Sequence, residues 1–219
     1  MTFDIRALGF NAAKQIVRVE GLTEIRGRKA WRISSFLRTY PSVEIFYKMH
    51  DESTTWLDAE TFQVLQVVSK QEEGNWKNEA FITNYPERGV VHYRDKRGFK
   101  QLYYKPPVLD LIGMIYYGRT LELELKKKYS FNIIDGPNLR NISATVTAQE
   151  KNKRVSSYSS EKISLIVMNQ DANPDVAVWF TDDEKKVPVR IRTMKIRLVG
   201  IDLGNIESVL IKYKEKKDK

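Results

Sequence analysis

The chain has 219 residues, no cysteine and only two histidines, His50 and His92. Without cysteine there can be no disulfide, thiolate zinc site, iron–sulfur cluster or cysteine nucleophile, and two histidines cannot make a three-histidine metal site. The missing cysteine does not name a compartment, because such a chain survives in reducing and oxidising surroundings alike. Proline is sparse, and no Pro/Ser/Gly-rich stretch divides the sequence. The longest apolar run, Val108 to Tyr117, is interrupted by Asp110 and is far shorter than the roughly 20 apolar residues of a spanning helix. Gly-x-Gly-x-x-Gly, Walker, Gly-x-Ser-x-Gly and His-Glu-x-x-His patterns are all missing. Met1-Thr2-Phe3-Asp4 leads straight into patterned sequence, with no visible signal peptide.

What is present is a mildly basic, strongly patterned chain. Thirty-seven Lys and Arg face 28 Asp and Glu, a net charge of +9. The excess is spread along the chain, and the last eight residues alone hold five Lys against one Glu and one Asp. A nucleic-acid binder concentrates its cations on one stripe, so this distribution argues against one. The dominant period is two, the signature of half-buried strands. Strands are expected near 3–20, 25–39, 43–50, 52–57, 62–71, 76–85, 89–95, 99–104, 120–134, 139–150, 155–168, 175–181, 186–199 and 204–213. Arg26-Gly27, Tyr40-Pro41, Glu73-Gly74, Arg88-Gly89, Arg97-Gly98, Asp135-Gly136-Pro137, Asn173-Pro174 and Asp182-Asp183 supply turn chemistry between them. The expected fold is mainly β, one antiparallel meander in a single domain.

One segment departs from this period. After Pro106-Pro107, residues 108–119 place Val108, Leu111, Ile112, Ile115 and Arg119 at helical spacing, with Leu109, Met114 and Tyr116 making the remaining surface apolar. Proline at the start and Asp110 near that end suit a first helical turn, and Gly118 suits its end. A helix apolar on nearly every side must be enclosed, so the strands are expected to wrap around it.

The stretch Asp110 to Arg119 resembles the central helix of a family of exported bacterial proteins known only as a domain of unknown function. Gly9-Phe10-Asn11-Ala12-Ala13-Lys14 resembles its opening strand. Thr54-Thr55-Trp56-Leu57-Asp58 followed by Thr61-Phe62 resembles its "serine, then aspartate" hairpin, and Trp179-Phe180-Thr181-Asp182-Asp183 with Pro188-Val189 and Gly200 resembles the closing hairpin. The likeness spans roughly residues 5–213. It implies a LolA/LolB-like half-barrel, a single curved antiparallel sheet around one central helix, over 1–211, with 212–219 as a charged tail. It also implies export to the periplasm or cell envelope, although a cytoplasmic protein stays open because no leader is visible. In LolA/LolB-like folds the space between sheet and helix holds acyl chains, which implies non-catalytic binding of a lipid or other apolar ligand at Leu111, Ile112, Ile115, Tyr116 and Arg119. Such a site needs no particular polar residue, because each buried CH₂ gains about 0.8 kcal/mol.

The alternatives are a structural or protein-interaction module with a filled core, an envelope protein being its partner, and nucleic-acid binding through a basic surface. No catalytic constellation, cofactor or metal is expected. His50-Asp51-Glu52 with His92 lacks metal-ligand spacing. Asp182 to Lys186 reads as a hairpin turn in which Asp holds its own backbone. Arg190, Arg192, Lys195 and Arg197 read as a solvated sheet face, with Trp179 of the preceding strand turned to the core.

Overall fold

A computed structural model describes residues 1–198 and 201–215, and side chains outside 194–203. Its elements in chain order begin with β1 (Thr2–Ala7), β2 (Phe10–Ile25), β3 (Arg28–Thr39), α1 (Pro41–Glu44), β4 (Met49–Asp58), β5 (Val64–Glu73) and β6 (Trp76–Tyr85). A 3-10 turn (Pro86–Arg88), β7 (Val90–Asp95), β8 (Gly98–Tyr103), β9 (Val108–Leu109) and α2 (Leu111–Gly118) follow. The chain continues with β10 (Lys128–Asp135), β11 (Asn138–Arg154), β12 (Lys162–Gln170), β13 (Ala177–Thr181), β14 (Pro188–Leu198) and β15 (Ile201–Lys212). The strands hydrogen-bond in the order β8-β7-β6-β5-β4-β3-β2-β1-β15-β14-β13-β12-β11-β10-β9. Every adjacent pair in that order joins sequence neighbours except β1 with β15, where Asp4 stands opposite Val209, and the consecutive strands β8 and β9 are the two ends of the order. The pairing is antiparallel apart from the short β9, which lies parallel to β10 with Val108 opposite Asn132.

The hairpins follow their turn residues. Arg26 and Gly27 both take positive φ, 51° and 74°, the geometry whose twist matches two adjoining strands. The same geometry at Leu8 (52°) and Gly9 (81°) splits the strand expected over 3–20 into β1 and β2. Leucine there escapes sequence reading, because a non-glycine residue at positive φ is held by its context. The strand expected over 43–50 is corrected too. Pro41 sits in the first turn of α1, the N–H groups of Val43 and Glu44 donate to Tyr40 O, and the strand starts only at Met49. The strands expected from 120 and from 155 begin at Lys128 and Lys162, after turned segments. Gly200 and residues 216–219 of the tail lie outside the described residues.

Two compact units emerge. The first comprises residues 1–16, 122–129 and the chain from 144 onward. Its core includes Phe3, Val146, Val167, Phe180 and Val187, all nearly solvent-free. All five residues of β13 are buried, and Phe180 stands opposite Pro188 in the hairpin with β14. Asp183 closes that hairpin: its Oδ1 accepts from Lys185 N (3.0 Å), Lys186 N (3.1 Å) and Thr181 Oγ1 (2.8 Å). Trp179 is buried, but cross-strand pairing puts it on the face of Arg190 and Arg192, whose guanidinium carbons lie 4.7 and 5.4 Å from its ring centroid. The adjacent Val178 and Phe180 take the opposite face. Trp179 is thus buried as expected, whereas Arg190 and Arg192, expected on a solvated sheet face, lie over its indole. The side chains of Lys195 and Arg197 fall outside the described residues.

The second unit comprises 17–121 and 130–143. Ile33, Leu57, Val64, Leu65, Val91 and Leu109 are its best-shielded apolar side chains. Among the described residues, helical turns occur in three short stretches rather than one. The helix expected over 108–119 is shorter, Leu111–Gly118, because Val108 and Leu109 are drawn into parallel pairing with β10 and Asp110 caps the first turn. Enclosure on every side fails as well: Leu111 is 62% exposed, whereas Ile112, Ile115 and Tyr116 are at most 8% exposed.

Candidate functional site

The site lies in the second unit and is built from α2 and the segment leading into it. Asp110 fixes the helix start. Its Oδ1 accepts the Gly113 N–H at 2.7 Å and its Oδ2 accepts the Thr55 hydroxyl at 2.7 Å. Thr55 on β4 is fully buried, so the carboxyl is buried with it, and burial pushes its pKa up from the usual range. Gly113 is required by close approach: a Cβ there would stand 2.7 Å from Asp110 Oδ1 and 3.1 Å from Leu57 Cδ2. The helix is thereby docked on β4 through a glycine face, with Ile112, Ile115 and Tyr116 turned inward. Arg119 follows the last turn, with its guanidinium carbon 5.6 Å from the Tyr116 ring centroid.

Of the five residues expected to bind ligand, Ile112, Ile115 and Tyr116 are brought together on the buried side of α2. Leu111 is on the outer side, and Arg119 covers Tyr116.

An open groove of about 720 Å³ lies beside the helix and falls on other residues. Tyr103, Tyr104, Pro106, Pro107, Phe131 and Leu139 form its apolar walls. Lys105, Ser130, Asn132 and Asn141 supply polar groups. Phe131 meets Tyr117 of α2 edge to face, with ring centroids 6.4 Å apart, so one wall of the groove backs on the helix.

The walls are held by a polar scaffold. Asn132 donates through its backbone N–H to Pro107 O at 3.0 Å and through Nδ2 to Lys105 O and Pro107 O. Asn141 Nδ2 donates to Asn132 Oδ1, and Ser130 Oγ donates to Asn141 Oδ1, both at 3.3 Å. On the other wall the Tyr104 hydroxyl donates to Asn84 Oδ1 at 2.6 Å, and the fully buried Asn84 donates to Val64 O at 2.6 Å. Arg26 at the β2–β3 turn donates to Asn84 O (2.8 Å) and Leu65 O (2.9 Å), closing this network. Burial raises the Tyr104 phenol pKa, so it stays a neutral donor at ordinary pH. Lys105 is exposed on the rim and forms no ion pair among the described residues.

Chemically, the arrangement is a fixed apolar cleft with one cation at its edge. Its volume is in the range of small-molecule sites. Tyr103-Tyr104-Lys105-Pro106-Pro107 was the sequence signal for it, two aromatics and two prolines around one lysine. The run reads only as a turn into a helix until Phe131 and Leu139 are folded against it. The histidines are elsewhere: His50 is in β4, 3.7 Å from Glu52, and His92 packs tilted against Tyr85 and edge-on against Phe99, with centroids 5.0 and 5.1 Å away. Among the described residues no group of three His, Cys, Asp or Glu gathers in metal-binding geometry, and no helix is long and apolar enough to cross a membrane.

The family described as Protein of unknown function (DUF3108) matches residues 2–202. The chain belongs to that family. No curated protein matches it. Among solved structures it is similar to a beta-barrel-like protein of the domain of unknown function DUF1849 from Brucella abortus, at TM-score 0.55 and 10% identity over 96% of this chain and 94% of the other. It is also similar to a DUF1089 family protein from Pseudomonas aeruginosa, at TM-score 0.51 and 13% identity over 85% and 92% of the two chains. At such identities the likeness is one of fold, which agrees with the mainly β architecture read from the sequence. The expectation of a bacterial family of unknown function is likewise met.

Proposed function

We propose that this DUF3108 family member is a non-catalytic binding protein for a lipid or other ligand with an apolar chain, acting in the bacterial envelope as LolA/LolB-like proteins do. The observation that carries the reading is the groove walled by Tyr103, Tyr104, Pro106, Pro107, Phe131 and Leu139, rigid through Asn132 and Asn84 and edged by Lys105. An acyl chain gains about 0.8 kcal/mol for each CH₂ taken from water, and a lysine at the rim suits an anionic or polar head group. Relative to the sequence expectation, the ligand lies against the Tyr117–Phe131 side of α2 and reaches Ile112, Ile115 and Tyr116 only if the helix yields.

The test is native mass spectrometry of the purified protein with extraction of co-purifying lipid, joined to titration with a fluorescent fatty acid. Leu139→Asp places a carboxylate on a half-exposed wall and is expected to abolish probe binding while the protein stays folded. Ile112→Trp is expected to leave binding intact and to lower stability by overpacking. Absence of probe binding by the parent protein across neutral and anionic lipid classes overturns the reading. That result favours the interaction module, for which Ile45 (80% exposed) and Phe46 (87% exposed) after α1 provide the accessible apolar surface.

A further inference from the structure

A second groove, of about 620 Å³, lies wholly within the first unit and is chemically different. Its floor is apolar, with Leu165, Trp179, Val189 and Leu210 all buried. Its rim carries four cations, Arg6, Lys153, Arg154 and Arg190, against one acid, Glu150. The register of β11 changes between Glu150 and Lys153, where Asn152 takes φ 58°, so the strand is bulged as it reaches the groove.

The charges in the groove are unevenly matched. Glu150 accepts from Trp179 Nε1 at 3.1 Å and pairs with Lys153 at 3.0 Å; the indole donor and then the lysine hold its carboxyl below the usual range. Arg190 is ion-paired with Glu207 and lies over the Trp179 ring. Arg6 and Arg154 remain, both exposed. Arg6 donates to the neutral Asn11 Oδ1 at 3.1 Å and stands cross-strand from Glu207, which Arg190 engages, and neither Arg6 nor Arg154 is in an ion pair among the described residues. Ser156 and Ser157, in the turn that follows β11, add two hydroxyls to the same rim. Two guanidiniums outside any ion pair among the described residues, beside hydroxyl donors and above an apolar floor, match an anion with several acceptor oxygens joined to an apolar body. We propose that this groove is a binding site for a phosphate monoester bearing an apolar group, its oxygens held by Arg6 and Arg154 and its apolar part laid on Leu165, Val189 and Leu210.

Isothermal titration of the full chain tests this with three probes below their micellar concentrations: dodecyl phosphate, inorganic phosphate and dodecyl maltoside. Dodecyl phosphate is expected to show a saturable site whose affinity falls with salt and that depends on Arg6 and Arg154, and dodecyl maltoside is not expected to bind here. The Arg6→Gln/Arg154→Gln variant is expected to weaken dodecyl phosphate about 100-fold, roughly tenfold for each guanidinium–phosphate hydrogen bond removed, with an unchanged melting temperature. Weak binding of inorganic phosphate assigns the site to an amphiphile, whereas equal binding of both phosphates assigns it to the free anion and overturns the amphiphile. Dodecyl phosphate binding that persists in the double variant but is lost in Leu139→Asp belongs to the groove of the second unit and overturns this site while sparing the reading above. Absence of saturable heat with either phosphate overturns it as well.

Discussion

Asp51 on β4 shows how a half-buried residue ties local packing to pH. Burial, followed by the neighbouring Glu73 charge, raises its pKa to about 6, although the Glu72 N–H donates to it at 3.2 Å. An unfolded aspartate titrates near 4. A raised folded pKa means the carboxyl favours the native state while protonated, and that stability is lost as pH rises from about 4 to about 6. Asp51→Asn removes the charge and keeps an acceptor for Glu72. It is expected to melt about 2–4 °C above the parent at pH 7.5, equivalent to about 1 kcal/mol, with the difference vanishing at pH 3.5. Thermal melts at the two pH values check it; an equal gain at both would locate the effect in packing rather than charge. Gly113 is the opposite kind of residue, chosen for what it leaves out. Gly113→Ala drives a methyl into Asp110 Oδ1 and Leu57 and is expected to lower stability by about 1–3 kcal/mol despite alanine's better helix propensity. Urea unfolding measures this, and a stabilised variant would mean that the Asp110 cap does not hold α2 against β4.

At the scale of elements, α2 and β13 both carry apolar residues on more than one side, and tertiary neighbours settle what those sides meet. The inward side of α2 docks on β4 and its start projects Leu111 into water, while Tyr117 reaches Phe131 of β10. In β13, Trp179 lies beneath Arg190 and Arg192 and donates to Glu150. Trp179→Ala is expected to cost about 3–5 kcal/mol, because it removes a buried indole together with the surface on which both guanidiniums rest. Trp179→Phe, which keeps an aromatic face and loses the Glu150 bond, is expected to cost about 1–2 kcal/mol. Chemical denaturation of the pair gives the comparison; equal losses would show that the hydrogen bond rather than the stacking dominates.

At the scale of the whole molecule, neither compact unit is a continuous piece of chain. Val108 and Leu109 of the second unit pair with Asn132 and Ile133, and Phe131 completes the packing around Tyr117. A fragment of residues 17–121 therefore lacks the strand against which α2 and the groove are assembled, and it is expected to show no cooperative melt, whereas 1–215 melts cooperatively. Circular dichroism of the two proteins decides the matter; a fragment with a sharp transition would mean that β10 is peripheral. The pairing of β1 with β15 joins residues at opposite ends of the chain, Asp4 with Val209. Pairing of that kind needs long loop closure and makes folding slow.

The sequence alone determined the strand-rich class, most hairpin turns and the exclusion of cysteine chemistry. Period-two alternation, Arg26-Gly27 and the Asp183 turn are local, so a single chain read in order displays them. The resemblance also pointed to the right kind of family. Tertiary structure decided the split at Leu8-Gly9, the late starts of β4, β10 and β12, and the outward turn of Leu111. These rest on backbone geometry that period-two alternation does not record, such as positive φ at Leu8 and the proline-started α1 ahead of β4. It also decided where the grooves lie. Tyr104 bonds to Asn84, Phe131 packs on Tyr117, and Arg154 lines one groove with Arg6 from a distant part of the chain. A cleft is a property of surfaces brought together by folding, and no spacing within one segment records it.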